Sequence, residues 1–580
     1  MKMMSMSYVV AALCLLVSCA DDREVADVQV PNPSVGLSAE VCTLSQERAA
    51  EEALTVSWEG DTSNSSARYT VELSVDDGSA TSSAGAWSRT FGNATTSFAM
   101  THEQLNRLLI DRWRVPVGSD VRVKVRVETT ASVHWMLRSA ADSTFVTCRA
   151  YMPVYPEHNH RIPLYWSPYE YNFLTNRSMP ESEWKLNIDW VADNLKSYGY
   201  TMVSTDGWMD ESDAYDADGY LDRHSLAWEH DYGWWADYLN SKGMQLGVYA
   251  NPLWVPSGAA RAGLKIKGTD IPIESIVNRS EENGGRHNYL WAQLDREGAE
   301  EWVRGYVDHF GEMGVKFLRV DFLSWYEDGF DIGYGTVGPE RPHWMYESAL
   351  RWMREECDRY GMILSLVMPH LYNDAATEKN YGHMIRIDND TAEGGWWHFS
   401  EVQRGVHRVG WSQYSNAFDG FVYFSRVSGR GRVMLDGDFI RLNTMDSDDE
   451  CRSIVSLAII AGGPVAVADR YNSAGARLQF YRNRELLALN EEGFTGKPLS
   501  DDPVDPLSQT WWGETLAGDV VVAVFNREQS DKEYRIVPSE FGITGSCSIR
   551  DLWTHETYST PGVSGTIPPH GCVVVKITKK

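Results

Sequence analysis

Asp321 closes the run Val315-Lys316-Phe317-Leu318-Arg319-Val320-Asp321, a short apolar stretch that delivers a carboxylate at its C-terminal end. The arrangement recurs along the middle of the chain, where Asp206, Asp388, Asp390, Asp436 and Asp438 stand at or just beyond the ends of other apolar runs. A pair of carboxyl groups is what breaks a glycosidic bond. One attacks the anomeric carbon, the other protonates the leaving oxygen, and retention needs them about 5–5.5 Å apart. Taken singly, each of these acids reads equally well as a helix cap or a solvated loop end. Their recurrence at so many strand ends points to an enzyme.

Glycines mark the elements that must position these acids. Helical patterns stop at Gly199, Gly243, Gly314 and Gly361, and an apolar run begins within a residue or two of each. Glycine takes the left-handed conformation that ends a helix without a Cβ clash. Helices alternating with strands that are apolar almost throughout imply a parallel sheet covered by helices. Carboxylates at several strand ends favour its closed form, the (β/α)8 TIM barrel, whose chemistry sits at the C-terminal rim. The barrel is expected over residues 155–490, with Trp184, Ile188, Val191 and Leu195 as the core face of its first helix.

Different patterns flank the barrel. Alternating runs at 54–58, 69–75 and 121–128 predict a β-sandwich over residues 40–150, with a capping box at Thr101 and Gln104 opening one short helix. Short β-runs at 520–525, 549–553 and 573–577 predict an antiparallel β domain over residues 491–580. Lys2 followed by the apolar stretch 8–17 reads as an export signal, too short to span a bilayer. Leu16-Val17-Ser18-Cys19 resembles a bacterial lipobox, so residues 1–19 are expected to be the signal, Cys19 the lipidated residue and 20–39 a tether. That places the protein on the outer membrane, facing outward or into the periplasm, with the lipid as its only membrane contact.

A net charge of −28 argues against nucleic acid or an anionic membrane surface as partner. The 23 tryptophans favour a carbohydrate, whose C–H faces suit flat aromatic rings, although many must simply be core. Six cysteines remain beyond Cys19 and lack CxxC spacing, which argues against zinc; Cys42 with Cys148, or Cys547 with Cys572, could form disulfides or stay free. His158, Asn159 and His160 read as a surface turn, and no metal or other cofactor is expected.

The segments 241–250, 316–321, 386–390, 434–440, 456–469 and 487–490 resemble, in order, successive motifs of the α-galactosidase (melibiase) clan, glycoside hydrolase families 27 and 36. The likeness continues through 549–553 and 569–571 into the C-terminal domain, and the N-terminal module resembles the fibronectin-like modules of surface starch-binding lipoproteins. The resemblance implies a retaining, exo-acting α-glycosidase with Asp321 as nucleophile and Asp390 as acid/base, Asp388 being the competitor for the second role. It places Asp206, Trp208, Tyr169, Tyr249, Arg319, Arg386 and Asp438 at sugar-binding or site-shaping positions.

Several positions depart from the clan pattern. Thr205 stands where the first of two aspartates is expected, Arg319 where a lysine is, and Val367 where a polar group often is. A site built to bond a hydroxyl discriminates strongly, so simple α-galactosides are not expected to be the best substrates. The alternatives are α-N-acetylgalactosaminides, β-L-arabinopyranosides, α-glucans, or a non-catalytic glycan-binding lipoprotein. Trp396 and Trp397, shortly after Asp390, read either as a substrate wall or as packing.

Overall fold

In the computed structural model the described residues are 30–61, 63–76, 86–113, 115–133, 136–151, 160–207, 214–282, 289–331, 335–391, 393–406 and 414–580. The chain divides into two compact units, Met1–Pro153 and Val154–Lys580.

The first unit is a β-sandwich. One sheet orders Gly36–Leu37, Glu52–Ser57 and Ser97–Thr101; the other orders Val41–Thr43, Met136–Arg149, Asp120–Val133, Arg68–Val75 and Trp87–Gly92. Alternation along the strands buries Tyr69, Val71 and Leu73 with Val123, Val125 and Val127 in one core with Leu54 and Val56. Both bonds of the capping box form at Thr101 and Gln104, opening the helix His102–Arg107. Cys42 lies directly opposite Cys148 in a parallel strand pair, and both thiols are free. Cys547 pairs with Lys579, seven residues along the same strand from Cys572. At about 3.3 Å per residue that separation rules out a bond between Cys547 and Cys572.

The second unit is built on eight parallel strands: β1 (Leu164–Trp166), β2 (Met202–Ser204), β3 (Gln245–Tyr249), β4 (Phe317–Val320), β5 (Ile363–Leu366), β6 (Met384–Arg386), β7 (Met434–Asp436) and β8 (Val465–Val467). Strand order follows chain order, β8 pairs with β1, and the Ile440 N–H donates to the Ala466 carbonyl at 2.8 Å beside β8, closing the barrel. Gly199, Gly243, Gly314 and Gly361 all have positive φ, from 58° to 99°, as helix stops require. The helix Glu181–Asn194 buries Trp184, Ile188 and Val191.

Inside the barrel the floor is apolar, formed by Tyr165, Met202, Phe317, Ile363, Met384, Met434 and Ala466. Side chains two residues apart on a strand share a face. The next inward positions on β4, β5, β6 and β7 are therefore Arg319, Ser365, Arg386 and Asp436, and the interior turns polar toward the C-terminal rim.

The C-terminal region forms a six-stranded sheet ordered Lys497–Pro498, Thr510–Glu514, Val520–Phe525, Cys572–Lys579, Cys547–Asp551 and Thr557–Tyr558, with the hairpin Lys532–Ile536/Val563–Ile567 beside it. Val520–Phe525 is buried at every position. Val521, Ala523 and Phe525 join the barrel core while Val520, Val522 and Val524 join the sandwich core, so one strand serves two interiors. No helix among the described residues is long and apolar enough to cross a membrane.

Candidate active site

Two arginines organise the polar layer. Arg319, 2% exposed, places Nη1 2.8 Å from Asp436, Nη2 3.7 Å from Asp438 and Nε 3.9 Å from Asp206, and its guanidinium lies over the Phe439 ring. Arg386 places Nη1 2.8 Å from Asp438, Nη2 3.1 Å from Asp390 and Nε 3.2 Å from Asp388. Asp438 is thus shared by both. Its position is set by the Thr391 N–H and hydroxyl, which donate at 2.7 and 3.0 Å, and by its own N–H, which donates to Asp436 at 3.0 Å.

Five carboxyl groups face two guanidinium groups, and burial disfavours charge on those that have no water. Burial raises Asp206 to about 7 against the opposing pull of Arg319. It raises Asp388 well above the carboxylate range despite Arg386, and it raises Asp438 as well. In all three the burial works in favour of the protonated form.

Asp321, just past β4, is only partly buried. The Tyr249 hydroxyl donates to its Oδ2 at 2.8 Å, the Phe322 N–H to its Oδ1 at 2.6 Å, and the Asn251 amide to its carbonyl at 2.7 Å. Arg319 does not attend the proposed nucleophile; its guanidinium crosses the barrel to Asp436, and a tyrosine orients Asp321 instead. Phe322, Met368 and Asp438 have φ of 62°, 46° and 69°, left-handed values that cost non-glycine residues roughly 1–3 kcal/mol each and collect at functional sites. All three lie just beyond the ends of barrel strands.

The two candidate acids after β6 differ sharply. Asp388 is wholly buried, whereas the Asp390 side chain is 57% exposed. Of the two, only Asp390 presents its carboxyl group to solvent. Tyr169, following β1, stacks on Phe439 at 4.7 Å and so joins the wall beside Arg319. Thr205 turns its hydroxyl to the Tyr249 N–H at 2.9 Å, and Val367 is buried. Trp208 lies outside the described residues.

Other expectations are revised. Trp396 is buried and stacks on His570 of the C-terminal sandwich at 4.6 Å, so this half of the tryptophan pair is packing; Trp397 is 61% exposed. His158 and Asn159 lie outside the described residues. His160 is no free surface turn: half-buried, it packs edge-on against His383, near Asp358. His383 Nδ1 accepts the Leu364 N–H and its Nε2 stands 2.9 Å from Asp358, which leaves neither ring nitrogen free for a metal ion. Sequence reasoning did not single out Asn251, Ser167, which donates to Asp206 at 3.2 Å, or Thr391. Asn251 lies two residues past β3 and could have been found from that position; the other two carry no local signal.

An isomalto-dextranase of Arthrobacter globiformis is 36% identical over 479 residues, spanning 78% of this chain and 74% of that protein. The chain belongs to the isomalto-dextranase family of glycoside hydrolases. A solved structure of an Arthrobacter globiformis T6 isomalto-dextranase, complexed with panose, matches with a TM-score of 0.70 over 74% of this chain and 75% of the other. A family 27 β-L-arabinopyranosidase from Geobacillus stearothermophilus shares the fold at 19% identity, with a TM-score of 0.58 over 72% of this chain and 97% of its own. The family model for the α-galactosidase C-terminal β-sandwich domain matches residues 505–577, and that for the SusE outer membrane protein matches residues 20–128. This isomalto-dextranase-family member is therefore a glycoside hydrolase, and it resembles the α-galactosidase clan in the way the ordered motifs implied.

Proposed function

We propose that the enzyme is a retaining, exo-acting α-glycosidase whose substrate is an α-glucan of the dextran type. The observation that carries the choice of sugar is the state of the three departing positions, taken with the isomalto-dextranase relative. The Thr205 hydroxyl oxygen accepts from the Tyr249 N–H, Arg319 is held by carboxylates, and Val367 offers no polar side-chain atom. A hydroxyl that those positions would otherwise bond is left to other partners. The cost of one unpaired buried group, about 1–3 kcal/mol, is enough to change which sugar is preferred.

In the proposed reaction, an Asp321 oxygen attacks the anomeric carbon while Asp390 gives its proton to the leaving oxygen. The C–O bond breaks and a covalent glycosyl ester forms. Asp390, now a carboxylate, takes a proton from water as that water attacks the ester and restores the original anomer. The Tyr249 hydroxyl holds one Asp321 oxygen and the Phe322 N–H the other, which fixes the plane of the attacking group. The exposure of Asp390 and the full burial of Asp388 support this division of roles. The lipidation of Cys19, in a bacterial lipobox-like setting, is part of the same proposal, with the enzyme displayed at the outer membrane.

Asp321→Ala is expected to abolish turnover in a folded protein, and Asp321→Gly with added azide to yield a glycosyl azide. Near wild-type turnover in the alanine variant would transfer the role to Asp206. For the sugar, kcat/KM is compared on aryl α-glucosides, aryl α-galactosides, panose, melibiose and dextran, with the product anomer followed by NMR. Aryl α-galactoside and melibiose emerging as the best substrates would refute the α-glucan reading.

A further inference from the structure

Among the described residues, the large aromatic side chains classed as exposed are Trp234, Phe330, Tyr372, Trp397 and Tyr471. Trp234 sits on the helix Tyr232–Ser241. The other four are on segments that leave the C-terminal ends of barrel strands, and three of them follow β4, β5 and β6, which are neighbours in the sheet. Phe330, Tyr372 and Trp397 are 56%, 48% and 61% exposed. Asp321 follows β4 directly and Asp390 follows β6, so these rings are on the segments after the strands that carry the two proposed catalytic groups and the strand between them.

The rings are held rather than loose. Tyr372 stacks at 4.8 Å on His370, which is buried and stands 3.1 Å from Glu327 on the helix that follows Asp321. The segment leading to Trp397 is pinned by a turn, Gly394 N–H to Thr391 O at 2.7 Å, by the Gly395 N–H on Thr444 Oγ1 at 2.8 Å, and by the Trp396–His570 stack. Phe330 is in the short antiparallel pair with Thr336. A singly exposed ring is ordinary; what sets these three apart is that they sit on held segments after three consecutive barrel strands, β4, β5 and β6. Holding them in place lowers the entropy lost when a ligand docks.

From this placement we infer that Phe330, Tyr372 and Trp397 form an arc of stacking platforms for the glycan chain on the leaving-group side of the cleaved bond. The inference rests on the exo-acting α-glucan reading above. An exo-acting site takes the chain end into its pocket and leaves the rest of the polymer to cross the rim. Flat rings stack on the C–H faces of sugar rings. The same segments carry exposed carboxylates, with Asp328 at 41%, Asp374 at 43% and Glu393 at 75% side-chain exposure, groups able to accept hydrogen bonds from sugar hydroxyls. Rings accompanied by acceptors fit a neutral polyhydroxylated chain; an apolar protein face needs a contiguous patch.

The test uses the full chain carrying Asp321→Ala, run in native gels with and without dextran, beside the same protein with Tyr372→Ala and Trp397→Ala added. Dextran is expected to retard the parent, and the added pair to weaken the apparent affinity tenfold or more. Tyr372→Phe with Trp397→Phe restores most of it, which a misfolded loop would not allow. With Asp321 intact, the alanine pair lowers the ratio of kcat/KM on dextran to that on an aryl α-glucoside by a similar factor. Retardation that survives both alanine substitutions overturns the arc. So does a parent that dextran does not retard; if the intact enzyme then still turns over panose, the α-glucan reaction stands without the arc. Retardation lost with the alanine pair, but no turnover of panose or dextran, overturns the reaction assignment and leaves the arc standing.

Discussion

Arg386 holds Asp388, Asp390 and Asp438 at once, so the behaviour of each acid is set by what else reaches it. For Asp390 the expected consequence concerns the leaving group. Asp390→Ala should cost far more on glucosides with poor leaving groups than on activated aryl glycosides, because only a poor leaving group needs a proton. If Asp388→Ala shows that selective loss and Asp390→Ala does not, the two roles are exchanged. Asp206 gives a pH prediction. Burial lifts its carboxyl from 3.8 to about 7, so between those values the native state holds a proton that the unfolded chain has released. Stability from this group is therefore full at low pH and falls as pH rises through the window, by an amount on the order of a few kcal/mol. Urea unfolding at pH 5 and pH 8 should show a smaller loss for Asp206→Asn than for wild type; equal losses would mean that Asp206 is ionised throughout.

At the scale of elements, the joint between barrel and C-terminal sandwich depends on a buried ion pair. Arg527 and Asp419 meet at 2.7 Å with neither side chain exposed, and Arg527 also donates to the Ser400 hydroxyl at 2.8 Å. Asp419 lies on the helix Ala417–Phe424, and Arg527 just follows Val520–Phe525, the strand buried on both faces. Removing one partner leaves the other charge without water or counter-ion, which costs about 3–5 kcal/mol. Arg527→Leu should lower the urea midpoint of the larger unit accordingly, and Asp419→Asn in that background should recover part of the loss. Additive losses would show that the two residues do not act as a pair.

For the whole molecule, a sandwich with no catalytic constellation among its described residues precedes a barrel that carries all of the proposed chemistry. The SusE family match to residues 20–128 and the lipobox-like Cys19 fit display of that barrel at the outer membrane. Cys19→Ala should release soluble protein or leave an unprocessed precursor. Unchanged membrane retention, with no lipid on Cys19 in the wild type, would sink the anchor. The net charge of −28 disfavours anionic polymers and is compatible with the neutral glycan proposed as substrate.

The barrel was legible in the sequence because its signals are local. A glycine that must take positive φ, an apolar run and a terminal aspartate all lie within about ten residues, and each obeys steric or solvation rules that need no knowledge of the rest of the chain. That is why Asp206, Asp321, Asp390 and Asp438 could be named from strand ends, and why the helix stops at Gly199, Gly243, Gly314 and Gly361 all carry positive φ. Partnership was not legible. Arg319 precedes Asp321 by two residues, yet its charge is spent on Asp436, 117 residues away, because barrel closure brings β4 and β7 to face each other. Trp396 belongs to His570 rather than to a substrate wall because the C-terminal sandwich packs against the barrel there. Burial of Asp388 and exposure of Asp390, two residues apart, follow from how the β6 segment meets its neighbours, and only the folded chain decides which of the two meets water.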